Sequence, residues 1–250
     1  MKKIFSIFSL IFATLLVMSC NFTFQGKDVK FIEPSSVVVT EERPVSGFHA
    51  IEMGTFGEVI ITQGDTESLT IKGSDNIVPL VKTTVRGGAL VISMEENVNI
   101  TGMTRDNMLT FTIMVKDLTG LSVSGAGKVS MESLDTSDLD VVMSGAGDVQ
   151  LGSLKADALD INISGVGNVG AAGEATSAKV NISGAGSFQA PDLKLQTADI
   201  TISGIGGAEV WVTDSLSGNI SGAGGVKYYG SPTVDTTTSG VGNFESLGDK

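Results

Sequence analysis

Leu139-Asp140-Val141-Val142-Met143-Ser144-Gly145-Ala146-Gly147-Asp148-Val149-Gln150-Leu151 sets the fold of the chain. Before the serine, apolar and polar residues alternate, and they alternate again after the second glycine, which is the period of a strand with one dry face. Leu139, Val141 and Met143 point to one side and are joined past the glycines by Val149 and Leu151, whereas Asp140, Asp148 and Gln150 face water. The Ser-Gly-apolar-Gly element between the two strands marks a corner.

That element recurs at Ser124, Ser144, Ser164, Ser183, Ser203, Ser221 and Ser239, with spacings of 20, 20, 19, 20, 18 and 18. A unit of this length holds two or three short strands, too few to close a core alone, so neighbouring units must stack and share one. Strands of successive coils lie about 4.8 Å apart, and seven coils make a column roughly 35 Å long. The periodicity predicts an all-β fold, a right-handed parallel β-helix (solenoid) with coils of about 18–20 residues. Glycine suits the corners because it takes backbone conformations costly to other residues, and the serine suits a turn or a stacked hydroxyl ladder.

Outward from the repeats, four regions follow. Residues 1–19 carry Lys2 and Lys3, then an apolar run from Ile4 to Met18, and read as a lipoprotein signal peptide rather than a membrane span. Val17-Met18-Ser19-Cys20 resembles the bacterial lipobox, so Cys20, the sole cysteine, is the expected lipidation site and membrane anchor. Residues 20–42 read as a tether, with Val37-Val38-Val39 a candidate edge strand. Residues 43–118 hold irregular strands such as Val59-Ile60-Ile61 and Leu109-Thr110-Phe111-Thr112-Ile113, either wider coils of the same helix or a cap. Residues 119–247 are the regular repeats.

The formal charge of −12, more negative once Lys2 and Lys3 are removed, disfavours nucleic acid as a partner. His49 is the only histidine, so neither a Ser-His-Asp site, a Cys-His site nor a multi-histidine metal site can be assembled. Gly165-Val166-Gly167-Asn168-Val169-Gly170 spells a dinucleotide fingerprint, but no helix pattern follows it. The position after the second glycine reads Lys128, Asp148, Asn168, Ser187, Gly207, Gly225 and Asn243, which is no calcium ladder. No cofactor is implied.

The opening Val45-Ser46-Gly47-Phe48-His49-Ala50-Ile51, the stretch Val59-Ile60-Ile61-Thr62-Gln63-Gly64-Asp65 and the Ser-Gly-apolar-Gly coils resemble the bacterial autotransporter adhesin family with a head GIN domain, over roughly residues 43–245. The resemblance implies an exported β-helical protein, often a lipoprotein, and brings no catalytic residues. The leading expectation is a non-enzymatic, adhesin-like binding module of the cell envelope, anchored to the outer membrane on its surface or periplasmic face, with a glycan or an envelope protein as partner. Trp211, Tyr228 and Tyr229 are the candidate surface-binding residues. Two other readings stand beside it: an architectural envelope protein, and a carbohydrate-active β-helix lyase or glycosidase using surface carboxylates such as Asp138, Asp140, Asp157 and Asp160.

Overall fold

The computed structural model describes residues 29–104 and 107–250; the leader, Cys20 and the start of the tether lie outside the described residues. The described chain is a β-solenoid. It includes the 3-10 turn Val78–Leu80.

Each regular coil has three sides, and the coil opening at Ala146 shows them. Residues 146–151, 153–156 and 158–163 pair in parallel with 166–171, 172–175 and 177–182 of the next coil. The first side follows the glycines, the second is short, and the third leads to the next Ser-Gly. Alternation aims Leu139, Val141, Met143, Val149 and Leu151 into the core, while Asp140, Asp148 and Gln150 are exposed. The short side adds Leu134, Leu154 and Leu193 to the same core.

At the corner there is no room for side chains. A β-carbon on Gly147, whose φ is 153°, would lie 1.8 Å from the carbonyl oxygen of Gly127 in the preceding coil, and one on Gly145 would lie 1.9 Å from that of Gly125. The residue between the glycines points out instead. Phe56, Ala126, Ala146, Val166, Ala185, Ile205, Ala223 and Val241 stack in register; Phe56 packs partly against the core, and the rest form an outward crest, with Val166, Ile205 and Val241 61%, 69% and 80% exposed.

Phe56 belongs to this column because residues 50–61 form a tier beneath the first Ser-Gly coil. Ala50–Met53 pairs in parallel with Gly120–Val123, and 56–61 with 126–131. The tier below is assembled from two distant pieces: residues 89–92 pair in parallel with 50–53, and 110–115 with 58–63. Order in space therefore departs from order in sequence here. Two stacks of parallel strands end in antiparallel strands at this pole. Val81–Arg86 closes one against Ala89–Met94; on the other, Ser68–Ser74 pairs with Thr110–Val115 and with Val38–Arg43. Lys30–Ile32 and Val98–Ile100 make a separate two-stranded parallel sheet.

At the opposite pole the inward positions turn polar. Thr236 and Thr238 stand in register with Gly218 and Ile220. Phe244 follows Val226 in its column and packs against the core. A β-carbon on Gly218 would lie 2.3 Å from the Ile200 carbonyl oxygen and 3.3 Å from the Phe244 ring, so that glycine leaves space for the neighbouring coil and for the ring that closes the core.

The corner contact predicts a sharp contrast between neighbours in sequence. Gly147→Ala should destabilise by about 3 kcal/mol or more, because neither the positive φ nor the Gly127 carbonyl yields without separating coils. Ala146→Val, which installs the side chain that Val166 already has on the crest, should stay within about 0.5 kcal/mol. Urea unfolding followed by circular dichroism measures both, and equal effects would refute the corner constraint.

Candidate functional site

The short side carries an open concavity. Its outward positions are locked in one column by pairing between consecutive coils: Asp135, Lys155, Glu174, Lys194, Trp211 and Tyr229. Five steps of strand spacing make this ladder about 24 Å long. The corner that follows places Ser137, Asp157, Thr176 and Gln196 along a second wall. Between the walls, the buried methyls of Ala156 and Ala175 form the floor. The groove has a volume of about 670 Å³ and spans the coils from Asp135 to Lys194.

Specific contacts brace its lower end. Gln63 donates through Nε2 to the carbonyl of Asp135 at 2.9 Å, and its Oε1 accepts the Asp135 N–H at 2.9 Å. One side chain thus satisfies both backbone groups where the strand ladder stops. Thr136 donates its hydroxyl to Asp117 at 3.0 Å. Lys155 pairs with Asp135 at 3.2 Å, an exposed ion pair whose contribution to stability is small and whose effect is to orient both groups. At the upper end the Lys194 ammonium lies 5.8 Å from the Trp211 ring centroid, and Lys250 lies 5.6 Å from Trp211 and 5.3 Å from Tyr229. Lys250 also pairs with Asp192.

The three aromatics singled out in the sequence separate here. Trp211 and Tyr229 are half-buried neighbours on the outward column, one and two coils beyond the groove. Tyr228 turns the other way and packs against the core. Of the four carboxylates, Asp157 lines the groove, and Asp138 is exposed at the start of the third side.

Asp140 and Asp160 sit side by side in register on the third side. Asn162 donates to Asp160 at 2.8 Å and receives a hydrogen bond from Asn181 at 3.1 Å, so this side carries its own amide ladder. Burial, and then the neighbouring Asp160 charge, push the Asp140 carboxyl above the usual range, against a lowering by Asn162. A raised carboxyl beside a second carboxylate is one requirement of glycoside hydrolysis. The depression beside Asp140 is only about 120 Å³, and the wall around it is the sheet itself.

The first side has a third ladder: Asn168 donates to Asp148 at 3.0 Å and Ser187 donates to Asn168. Three of the seven positions named above as no calcium ladder, Asp148, Asn168 and Ser187, are thus tied to one another. Among the described residues, no three His, Cys, Asp or Glu side chains are grouped to hold a metal ion. His49 lies against the Gly88 turn, where its N–H meets the Gly88 carbonyl at 2.9 Å. No helix of the described residues is long and apolar enough to cross a membrane.

Sequence reasoning missed most of the groove, namely Gln63, Asp117, Asp135, Lys155, Glu174, Lys194 and Gln196. A signal was present, since Asp135, Lys155, Glu174 and Lys194 each follow their Ser-Gly corner by 10 or 11 residues. Trp211 and Tyr229 follow theirs by 8, after the repeat shortens.

The family model described as "Putative auto-transporter adhesin, head GIN domain" matches residues 47–232, from the tier beneath the first regular coil nearly to the last. The chain belongs to this family. Among solved structures, a putative adhesin of Bacteroides fragilis is 31% identical, with a TM-score of 0.83, covering 86% of this chain and 100% of its own. A putative lipid binding protein of Parabacteroides distasonis, 23% identical with a TM-score of 0.72, covers 87% and 100%. A putative adhesin from the same species, 20% identical with a TM-score of 0.68, also covers 87% and 100%; these last two show the shared fold. No protein of curated function matches the chain.

The Asp140 environment carries a pH signature. A carboxyl raised in the folded state costs stability when ionised, so the cost appears as pH rises through the carboxylate range and is absent in acid. Asp140→Asn should raise the melting temperature at about pH 7, and the gap should close toward about pH 3. Thermal unfolding across that range decides the matter; a gap that widens in acid would contradict the assignment.

Proposed function

We propose that this protein is an exported, lipid-anchored, non-enzymatic binding module of the bacterial envelope, held at the outer membrane through Cys20 and presenting the side of its solenoid as a recognition surface. The observation that carries this reading is the open groove running along the axis across consecutive coils, built from side chains that a rigid backbone holds in columns. Binding surfaces of this kind are what solenoids offer, because each coil adds one more rung to the same column. Membership in a family described as adhesins supports the same reading.

The leader, the lipobox and the lone cysteine at their boundary support the anchor. Asp140 and Asp160 lie on the sheet wall and do not face each other across the groove, which favours recognition over hydrolysis. The charged and hydroxyl-bearing walls of the groove likewise favour polar ligands over acyl chains.

Proteolysis of intact cells, with fractionation as its partner, tests the reading. The protein should sediment with outer membranes and be digested by added protease before the cells are opened. Cys20→Ser should move it from the membrane to the soluble fraction. Protection of the protein on intact cells would remove the surface role, and membrane retention of the Cys20→Ser variant would remove the anchor.

A further inference from the structure

We propose that the short-side groove binds an uncharged linear polysaccharide, laid along the solenoid axis with successive sugar units over successive coils. This rests on the binding-module reading and specifies its ligand. The groove itself supplies the selection.

Its lining has four carboxylates, Asp117, Asp135, Asp157 and Glu174, against two ammonium groups, Lys155 and Lys194. A polyanion such as a uronate chain, a sulfated glycan or a nucleic acid meets a net negative field there. A polycation gains little from the same field along the column, where Asp135 already holds Lys155 at 3.2 Å and Lys155 and Lys194 flank Glu174. An extended peptide has no edge to add to, because the backbone of the walls is paired between coils. The Thr136 N–H meets the Lys155 carbonyl at 3.0 Å, and the Asp157 N–H meets that of Ser137 at 2.8 Å. A lipid finds only the methyls of Ala156 and Ala175 as apolar floor.

What remains is a ligand rich in hydroxyls and free of charge. Carboxylates accept from vicinal hydroxyls, while Lys155, Lys194, Thr176, Ser137 and Gln196 supply donors. The alternation Asp135, Lys155, Glu174, Lys194 presents an acceptor and then a donor at each step of about 4.8 Å, a period that a chain of hexose units matches when it lies parallel to the axis. The four coils from Asp135 to Lys194 therefore hold about four units.

The molecule contains its own reporter. Trp211, the only tryptophan, is the next residue of the column, and Lys194 from the groove lies over its ring. A ligand that engages Lys194 changes the charge beside the indole, so occupancy of the groove reads out as a change in tryptophan emission.

The experiment uses the soluble Cys20→Ser protein on a printed array of neutral α- and β-linked hexose and pentose oligosaccharides alongside uronic-acid and sulfated chains, followed by fluorescence titration of the hits. The inference expects binding confined to neutral chains and affinity that climbs from disaccharide to tetrasaccharide and then levels off. It also expects at least a tenfold loss of affinity in Glu174→Ala and in Lys155→Ala, with no change in Lys128→Ala on the first side. All three side chains are exposed, and unchanged melting curves will show that the variants fold. Absence of any neutral-glycan binding, preference for charged chains, affinity that stops rising at the disaccharide, or indifference to Glu174→Ala and Lys155→Ala would each overturn it. Failure on the array with digestion on intact cells leaves the surface module standing. Glycan binding by a protein that is protected on intact cells leaves the groove standing and removes the surface role.

Discussion

The contact on which the molecule depends is the one between a carbonyl oxygen of one coil and a glycine of the next. At Gly145, Gly165, Gly184, Gly204, Gly222 and Gly240, a β-carbon would lie 1.9 to 2.1 Å from the glycine carbonyl of the neighbouring coil. That carbonyl sits where any other residue would put a side chain, so the corner permits a single register. The N–H groups on either side reinforce it: the Val123 carbonyl accepts both Ser144 and Gly145, the Met143 carbonyl both Ser164 and Gly165, and the same pairing recurs upward. With the corner fixed, a slip by one residue would turn every core side chain of a coil to water. The alignment of side chains into columns follows from this, and with it the groove.

Three consequences of that register were open to reading in the sequence: the parallel stacking, the inward set Leu139, Val141, Met143, Val149 and Leu151, and the outward set Asp140, Asp148 and Gln150. They were legible because period-two alternation and a fixed repeat are local signals. The lower tiers were not. Residues 50–61 replace Ser-Gly-Ala-Gly by Gly54-Thr55-Phe56-Gly57, and the tier below joins 89–92 to 110–115 across an excursion of the chain. A coil made of two distant pieces has no sequence period to detect.

The groove was hidden for a related reason. The repeat length varies between 20, 19 and 18, and the structure places the slack on the short side: register shifts fall between Leu151 and Ser153, between Gly170 and Ala172, between Ala190 and Lys194, and between Leu195 and Thr197. The two long sides are tied to the glycine corner and tolerate no change in length. The residues that form the groove thus sit in the least periodic part of each repeat, where alternation gives no guide to direction. The Asp135–Lys155 ion pair and the double hydrogen bond from Gln63 join residues 20 and 72 apart, and only the stacking brings them together.

The same division separates what holds the solenoid from what it can recognise. On the first and third sides, outward side chains pair with each other along the stack, as Asn168 does with Asp148 and Asn181 with Asn162. Such ladders satisfy their own polar groups and leave little for a ligand. On the short side the outward column Asp135, Lys155, Glu174 and Lys194 and the corner residues Ser137, Asp157, Thr176 and Gln196 flank a trough of about 670 Å³. There the charges of one coil meet opposite charges of the next without filling the space, and the small side chains of Ala156 and Ala175 keep the floor low. A stack that is rigid on two sides and variable on the third can change its recognition surface, coil by coil, without disturbing the carbonyl-to-glycine contact that keeps it folded.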